Sequence, residues 1–160
     1  MSIAILFASK HGTTEKVASQ IATLLEDHKP IILNLKKNPM PDLSAYNTVL
    51  IGGSIYAGGI QKRITVLIKE NAEVLLQKKI ALFLCCMNEK EAENEFNTAY
   101  PDWLRSHSVS NKIIGGEYNL DKMNFIEKFL VRKISGTKTS ISKIDQTKIV
   151  ELVKDLNTKP

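Results

Sequence analysis

The sequence lacks the features that mark several large classes of protein. No apolar run approaches the ~18 residues of a membrane-spanning helix, and no cleavable signal pattern opens the chain, so we expect a cytoplasmic protein. The patterns G-x-x-x-x-G-K-[ST] and G-x-G-x-x-G are absent, which argues against a P-loop nucleotide hydrolase and a Rossmann dinucleotide domain. The two cysteines, Cys85 and Cys86, are adjacent and lack the spacing of metal or redox motifs. We interpret them as reduced structural thiols, with a vicinal redox pair as the alternative.

An acidic excess and a catalytic cluster are missing as well. The chain carries 22 Lys and Arg against 17 Asp and Glu, for a net charge of +5, which favours an anionic surface or substrate as partner. We find no aromatic-plus-basic reading surface or recognition motif and predict no nucleic-acid binding. His11, His28 and His107 lie far apart without a ligand-spaced partner, so no metal site is predicted. No His-Asp-Ser arrangement is present, and we assign no catalytic side chain.

The length of 160 residues and the 43% hydrophobic content predict one domain spanning residues 1–160. Short apolar runs alternate with helical patterns, which indicates a parallel sheet covered by helices on both faces. The predicted strands are 2–8, 30–35, 48–53, 80–85 and 112–116, and the predicted helices are 13–27, 60–76, 89–106 and a last one from Asp145 to Leu156. Five strands and four helices fit a doubly wound α/β fold of order 2-1-3-4-5, whose ligand site lies between strands one and three.

The loop after the first strand has the composition of a phosphate site. Glycine lets the backbone approach a ligand, hydroxyl groups donate hydrogen bonds, and the start of the next helix offers free N–H groups. The predicted phosphate contacts are Ser9, Lys10, His11, Gly12, Thr13 and Thr14. The alternative is an ordinary helix N-cap, because Ser and Thr are favoured there.

The third strand runs into a second glycine-rich loop, Gly52-Gly53-Ser54-Ile55-Tyr56-Ala57-Gly58-Gly59. With S-x-x-G-T-T after strand one and Y-N-T-V-L-I-G-G-S-x-Y-x-G at strand three, the chain resembles the flavodoxin family. The resemblance implies an FMN cofactor whose phosphate lies in the first loop. It further implies flavin-ring contacts from Ser54, Ile55, Tyr56, Ala57, Gly58, Met87 and Asn88. Among these, an aromatic side chain at position 56 could stack on the ring or anchor the loop.

Residues 117–144, between the fifth strand and the last helix, form a basic amphipathic insertion in a minimal flavodoxin pattern. Met123, Ile126, Phe129, Leu130 and Ile134 fall on one helical face, with Lys122, Lys128, Arg132 and Lys133 interspersed around it. Such a helix either packs on the domain with a solvated basic edge or offers a platform for an acidic membrane surface, a lipophilic quinone or a flat anionic substrate.

This segment, with its Ile-Ser-Gly-Thr turn, is similar to that of the flavodoxin-type, menaquinone-dependent protoporphyrinogen IX dehydrogenases, although it carries few aromatic residues. The resemblance implies a flavin-dependent oxidoreductase that passes electrons from a porphyrinogen to a quinone in haem synthesis. It also implies peripheral contact with the inner face of the cell membrane through residues 119–140. The alternatives are a flavodoxin that carries electrons between redox proteins, a group that is typically acidic, and a flavin-free regulatory domain.

Overall fold

The computed structural model describes residues 2–158, and its centre is one twisted sheet. Five strands run parallel in the order β2-β1-β3-β5-β6. They are β1 (Ile3–Phe7), β2 (Ile31–Asn34), β3 (Thr48–Tyr56), β5 (Lys79–Cys85) and β6 (Ser110–Gly115). The relative order of the parallel strands is the predicted one.

The predicted count of five strands is incomplete, because the sheet has a sixth strand. The third strand does not stop at residue 53 but continues to Tyr56, and the chain then turns back as β4 (Gly59–Ile60), antiparallel to the end of β3. The pairing Ile55 to Ile60 lies beyond the parallel part of the sheet. The hairpin therefore projects from the carboxyl edge of the sheet, where ligands bind in open α/β folds.

Helices cover both faces of the sheet, as the alternating pattern predicts. Along β1, Ile3, Ile5 and Phe7 pack on one face, and Ala4 and Leu6 pack on the other. The first face is covered by α1 (Thr13–Leu24) and α7 (Gln146–Thr158), and the second by α2 (Lys62–Glu70), α3 (Ala72–Leu75), α4 (Ala92–Ala99) and α5 (Asp102–His107). Because both faces are buried, the inner strands are apolar throughout rather than alternating.

Two of the predicted helices are interrupted. The predicted helix at 89–106 is two helices, because Pro101 holds Tyr100 in an extended conformation (φ −118°, ψ 126°) and α5 starts afresh after it. In place of the predicted helix at 60–76, the structure has the last residue of β4 followed by two helices, α2 and α3, which are separated at Asn71. The predicted N-cap of the last helix is present, since Asp145 Oδ1 accepts hydrogen bonds from Thr147 N (3.0 Å) and Lys148 N (3.3 Å).

The segment between β6 and α7 contains more than the predicted amphipathic helix. β7 (Glu117–Tyr118) and β8 (Ile141–Ser142) form a separate antiparallel ribbon, and a 3₁₀ turn (Leu120–Lys122) and α6 (Phe125–Ser135) lie between them. Met123 precedes α6 and is buried, unlike the other residues of the predicted apolar face. Across residues 2–158, no helix is long and apolar enough to cross a membrane.

Candidate functional site

A cavity of about 320 Å³ opens at the carboxyl edge of the sheet. Three walls come from the loops that follow β1, β3 and β5, and the fourth comes from the segment that contains α6. Its principal lining residues are Ser9, Lys10, His11, Thr13, Ser54, Ile55, Tyr56, Ala57, Gly58, Cys85, Cys86, Met87, Asn88, Glu95, Glu117, Met123, Glu127, Leu130, Val131 and Ile134. The loops after three adjacent parallel strands thus meet at one place, as the strand order requires.

The first loop leaves the start of α1 open toward the cavity. Gly12 is in the left-handed region (φ 93°), its N–H donates to Ser9 Oγ at 2.9 Å, and no side chain of the described residues caps α1. The first N–H groups of a helix have no partner within the helix. A Cβ on Gly12 would lie 2.9 Å from Lys122 Nζ, so an ammonium group stands beside this loop. The loop combines free donors with positive charge, which is the chemistry of a phosphate site.

The second loop is the tight turn of the β3–β4 hairpin. Ala57 (φ 49°) and Gly58 (φ 78°) both have positive φ, as the two central residues of a type I′ turn must. Gln61 links the two ends of the hairpin. Its side-chain amide accepts from Ser54 N at 3.0 Å and donates to Ser54 Oγ at 2.7 Å. Tyr56 is thereby presented at the cavity rim with 42% of its surface exposed.

A carboxylate from α6, Glu127, lies between the first two loops. Its Oε1 accepts from Lys10 Nζ at 2.5 Å and from Tyr56 Oη at 2.8 Å, and it lies 3.6 Å from His11 Nε2. The Lys10 ammonium also lies 3.4 Å from the centre of the Tyr56 ring. The hydrogen bond from Lys10, followed by that from the Asn124 N–H, lowers the pKa of Glu127 to about 2. Glu127 is therefore an anion that ties α6 to both loops.

The third loop brings two thiols to the cavity. Cys86 Sγ donates to Glu95 Oε2 at 2.6 Å, and Cys85 and Cys86 are both free and buried. Burial raises the pKa of each thiol to about 12, so neither is a thiolate at neutral pH. Both therefore line the cavity wall as protonated, unbridged thiols.

The structure brings together eleven of the thirteen predicted cofactor-binding residues on the cavity wall. Two predicted residues are not on the wall. Gly12 belongs to the loop after β1, and Thr14 is fully buried against the Cys85 thiol. The Thr14 hydroxyl has no oxygen or nitrogen partner within residues 2–158. Sequence reasoning missed Glu127, Lys122 and Glu95. The pattern Asn124-x-x-Glu127 predicts a helix start, but nothing in it shows that the glutamate turns toward the first loop.

No metal centre accompanies this site in the part of the chain that the structure describes. No group of three or more His, Cys, Asp or Glu side chains is placed to hold an ion there.

Comparison with known proteins identifies the family. A family model described as a flavodoxin domain matches residues 4–145. The chain belongs to the flavodoxin family. Among curated protein sequences, none matches it significantly.

Several solved structures share the fold at low sequence identity. The flavodoxin of Streptococcus pneumoniae TIGR4 is 13% identical over 100% of both chains, with a TM-score of 0.59. A Fusobacterium nucleatum flavodoxin bound to flavin mononucleotide is 15% identical, with 99% of this chain and 98% of that chain covered and a TM-score of 0.57. Rubredoxin:oxygen oxidoreductase from Desulfovibrio gigas is 14% identical over 99% of this chain but 36% of its own, with a TM-score of 0.55.

Proposed function

We propose that this chain is an FMN-dependent oxidoreductase that takes electrons from a porphyrinogen and passes them to a quinone. The observation that carries the proposal is the apolar roof of the cavity. The helix α6 covers one side of the cavity. It contributes Leu130, Val131 and Ile134 to the wall that faces the three loops. A site of this kind suits a flat, lipophilic substrate beside the cofactor.

FMN is the cofactor that family membership and the FMN-bound flavodoxin of Fusobacterium nucleatum support. The residues fit it: the open start of α1 and the Lys122 ammonium suit a phosphate group. Ser54 to Gly58 on one side and Met87 and Asn88 on the other would hold the ring. When bound, FMN supplies a hydride acceptor, and the protein supplies orientation and electrostatics.

The roof exposes apolar surface that a ligand would cover. Leu130 is 46% exposed and Ile134 is 79% exposed, although both line the cavity. Burial of a whole Leu or Ile side chain contributes about 1.5–3 kcal/mol, so an apolar ligand between α6 and the loops gains a substantial part of its affinity here. Val131 and Met123 extend the same apolar wall.

The opposite side of α6 suits a membrane surface, where a lipophilic quinone resides. Phe125 is 85%, Ile126 67% and Phe129 59% exposed. Lys128, Arg132 and Lys133 share this helix. Apolar side chains beside basic ones are the composition of helices that lie in the interface of anionic bilayers. In this proposal α6 separates the cofactor cavity from the lipid that delivers the quinone.

An anaerobic assay tests the proposed activity. FMN-loaded protein is mixed with protoporphyrinogen IX and a soluble menaquinone analogue, and porphyrin fluorescence is followed. We expect turnover above the spontaneous rate that depends on both flavin and quinone. The variant Leu130→Ser/Ile134→Ser should lose most of this turnover and retain FMN, whereas Val150→Ser, an exposed apolar residue on α7, should not change it.

Other outcomes are informative. No turnover with FMN bound and reducible would point to an electron carrier between redox proteins. Absence of FMN binding would contradict the cofactor assignment itself. For the membrane contact, sedimentation with phosphatidylglycerol vesicles should fall in Phe125→Ser/Phe129→Ser and persist in Val150→Ser; equal sedimentation of all three proteins would remove that part of the proposal.

A further inference from the structure

A second cavity, of about 350 Å³, lies on the other side of the Tyr56 hairpin. It is bounded by the residues that follow β1, by Lys36 after β2, and by the start of α2. Its lining is Ala8, Ser9, Lys10, Lys36, Tyr56, Gly59, Ile60, Gln61 and Arg63. It therefore lies at the same carboxyl edge of the sheet as the cofactor cavity and shares Ser9, Lys10 and Tyr56 with it.

The charge of the two cavities differs. The cofactor cavity contains Glu95, Glu117 and Glu127, whereas the described residues that line the second cavity include three cations and no acidic side chain. Lys10 is neutralised by Glu127. Within residues 2–158, neither Lys36 nor Arg63 forms an ion pair. Two uncompensated positive charges thus converge on one concave surface.

Arg63 is an exposed residue whose guanidinium makes one hydrogen bond to the backbone beside Lys36. Its Nη1 donates to the carbonyl oxygen of Leu35 at 3.2 Å, which places the guanidinium next to Lys36 and leaves its other N–H groups available. A guanidinium suits paired recognition of a carboxylate or phosphate. The first turn of α2 also carries Lys62 and Arg63 and no acidic residue, an arrangement that opposes the helix dipole and that a bound anion would offset.

We propose that the second cavity, through Lys36 and Arg63, binds a carboxylate arm of the substrate while the apolar body of that substrate lies beside the cofactor, at the rim of the first cavity. The inference rests on the proposed function, because it names a feature of the same substrate. Tyr56, the rim shared by both cavities, is where such a molecule would cross from one to the other. A carboxylate on a flexible arm fits a recess of this size and charge, and a porphyrinogen carries such arms.

Binding of two porphyrins tests the proposal without turnover. Protoporphyrin IX carries two propionates, and its dimethyl ester has the same ring without charge. Quenching of porphyrin fluorescence in FMN-loaded protein gives the affinity of each in detergent. The test variant is Lys36→Gln/Arg63→Gln, and the matched control is Lys37→Gln/Lys69→Gln, which removes the same charge from exposed positions outside the lining and outside the first turn of α2.

We expect the wild-type protein and the control to bind the diacid about tenfold more tightly than the ester, which corresponds to one charge-assisted hydrogen-bonded contact. The test variant should bind both porphyrins equally. Equal affinity of the test and control variants for the diacid, or equal affinity of the wild-type protein for diacid and ester, overturns the proposal.

A smaller probe separates this proposal from the proposed function. If wild-type protein binds neither porphyrin, the proposed substrate is wrong, and isophthalate, an aromatic dicarboxylate, decides the anion site alone. Chemical-shift changes at the Arg63 Nε–H of the wild-type protein, together with changes at the Gln61 and Lys62 amides that are lost in Lys36→Gln/Arg63→Gln, support the site. Unchanged spectra up to millimolar isophthalate overturn it.

Discussion

Two helices, α1 and α6, begin at the same cavity, and their first turns are built in opposite ways. α1 starts at Gly12 with no side-chain cap among the described residues. α6 starts with a complete capping box, in which Asn124 Oδ1 accepts from Glu127 N and Glu127 Oε2 accepts from Asn124 N, each at 2.9 Å. One helix leaves its N–H groups free beside the cavity, and the other satisfies its own.

This difference separates ligand binding from scaffolding. Free N–H groups at a helix start attract an anion because the dipole and the hydrogen-bond donors act together. At α6 the cap already satisfies the corresponding donors, and the same glutamate uses its other oxygen to hold Lys10 and Tyr56. We therefore expect changes at the start of α1 to affect ligand affinity. Changes at the start of α6 should instead affect how firmly α6 is held over the cavity.

The largest effect is expected at Gly12. An aspartate there adds a carboxylate beside the predicted phosphate position and strains a backbone with φ of 93°. Gly12→Asp should weaken FMN binding by about a hundredfold, because a like charge several ångströms from a phosphate is worth a few kcal/mol at intermediate dielectric. Titration of apoprotein into FMN, followed by flavin fluorescence, measures it.

The control for this variant is Gly136→Asp. Gly136 also has positive φ (68°) and ends α6, and a Cβ there meets no described atom within 4 Å. The two variants therefore share a positive φ and the added charge, and they differ in position and in the approach to Lys122 Nζ, which only a side chain at residue 12 makes. Similar losses of FMN affinity in both would show that strain, and not the phosphate loop, is responsible.

A second, smaller effect is expected at Glu127 and depends on pH. Its pKa is lowered from 4.5 to about 2 in the folded protein, chiefly by the Lys10 ammonium. A lowered folded-state pKa contributes stability above the unfolded value, and that contribution is lost as the pH falls from about 4.5 toward 2. Glu127→Gln should destabilise the protein by about 1 kcal/mol at pH 7, a value reduced by the exposure of Lys10. It should also make the free energy of unfolding less dependent on pH in this acidic range.

Urea unfolding of wild type and Glu127→Gln at several pH values between 3 and 7 measures the effect. Lys10→Met should remove much of the same pH dependence, and the double variant should lose little more, because the two residues form one interaction. Additive losses in this cycle would mean that Glu127 and Lys10 act independently.

The fold could be predicted largely because its signals are local. The apolar strands and the amphipathic faces of α1 and α7 are readable from periodicity, and the connection rules of α/β folds then fix the order of the parallel strands. The β4 strand escaped prediction because its turn, Tyr56-Ala57-Gly58-Gly59, places an alanine where Asn or Gly is usual. The break at Pro101 is readable from the sequence, because a proline disfavours the helical conformation of the residue before it.

The site was only partly predictable for a different reason. The three loops follow directly from strand ends, so their residues meet at one edge of the sheet in any sheet of this order. Glu127 comes from a segment whose path across that edge is set by the β7–β8 ribbon, a pairing of two residues on each strand. Nothing in so short a pairing stands out from the sequence. The second cavity likewise combines Lys36 and Arg63 from distant parts of the chain.

The smallest effect tests the capped helix alone. Asn124→Ala removes the cap acceptor and keeps the Glu127 carboxylate, and loss of such a cap costs about 0.5–1 kcal/mol at a helix start. Because the buried contact of α6 is Glu127, we expect the loss to appear as local opening, with faster amide exchange at Glu127 and Lys128 and little change in global unfolding.

The matched change on α1 is Ser9→Ala, which removes the acceptor of the Gly12 N–H. It should weaken FMN binding severalfold with no change in exchange within α6, whereas Asn124→Ala should leave FMN affinity within about twofold and change exchange within α6. If Asn124→Ala weakens FMN binding as much as Ser9→Ala does, the two helix starts are not separate in function, and closure of α6 is part of cofactor binding itself.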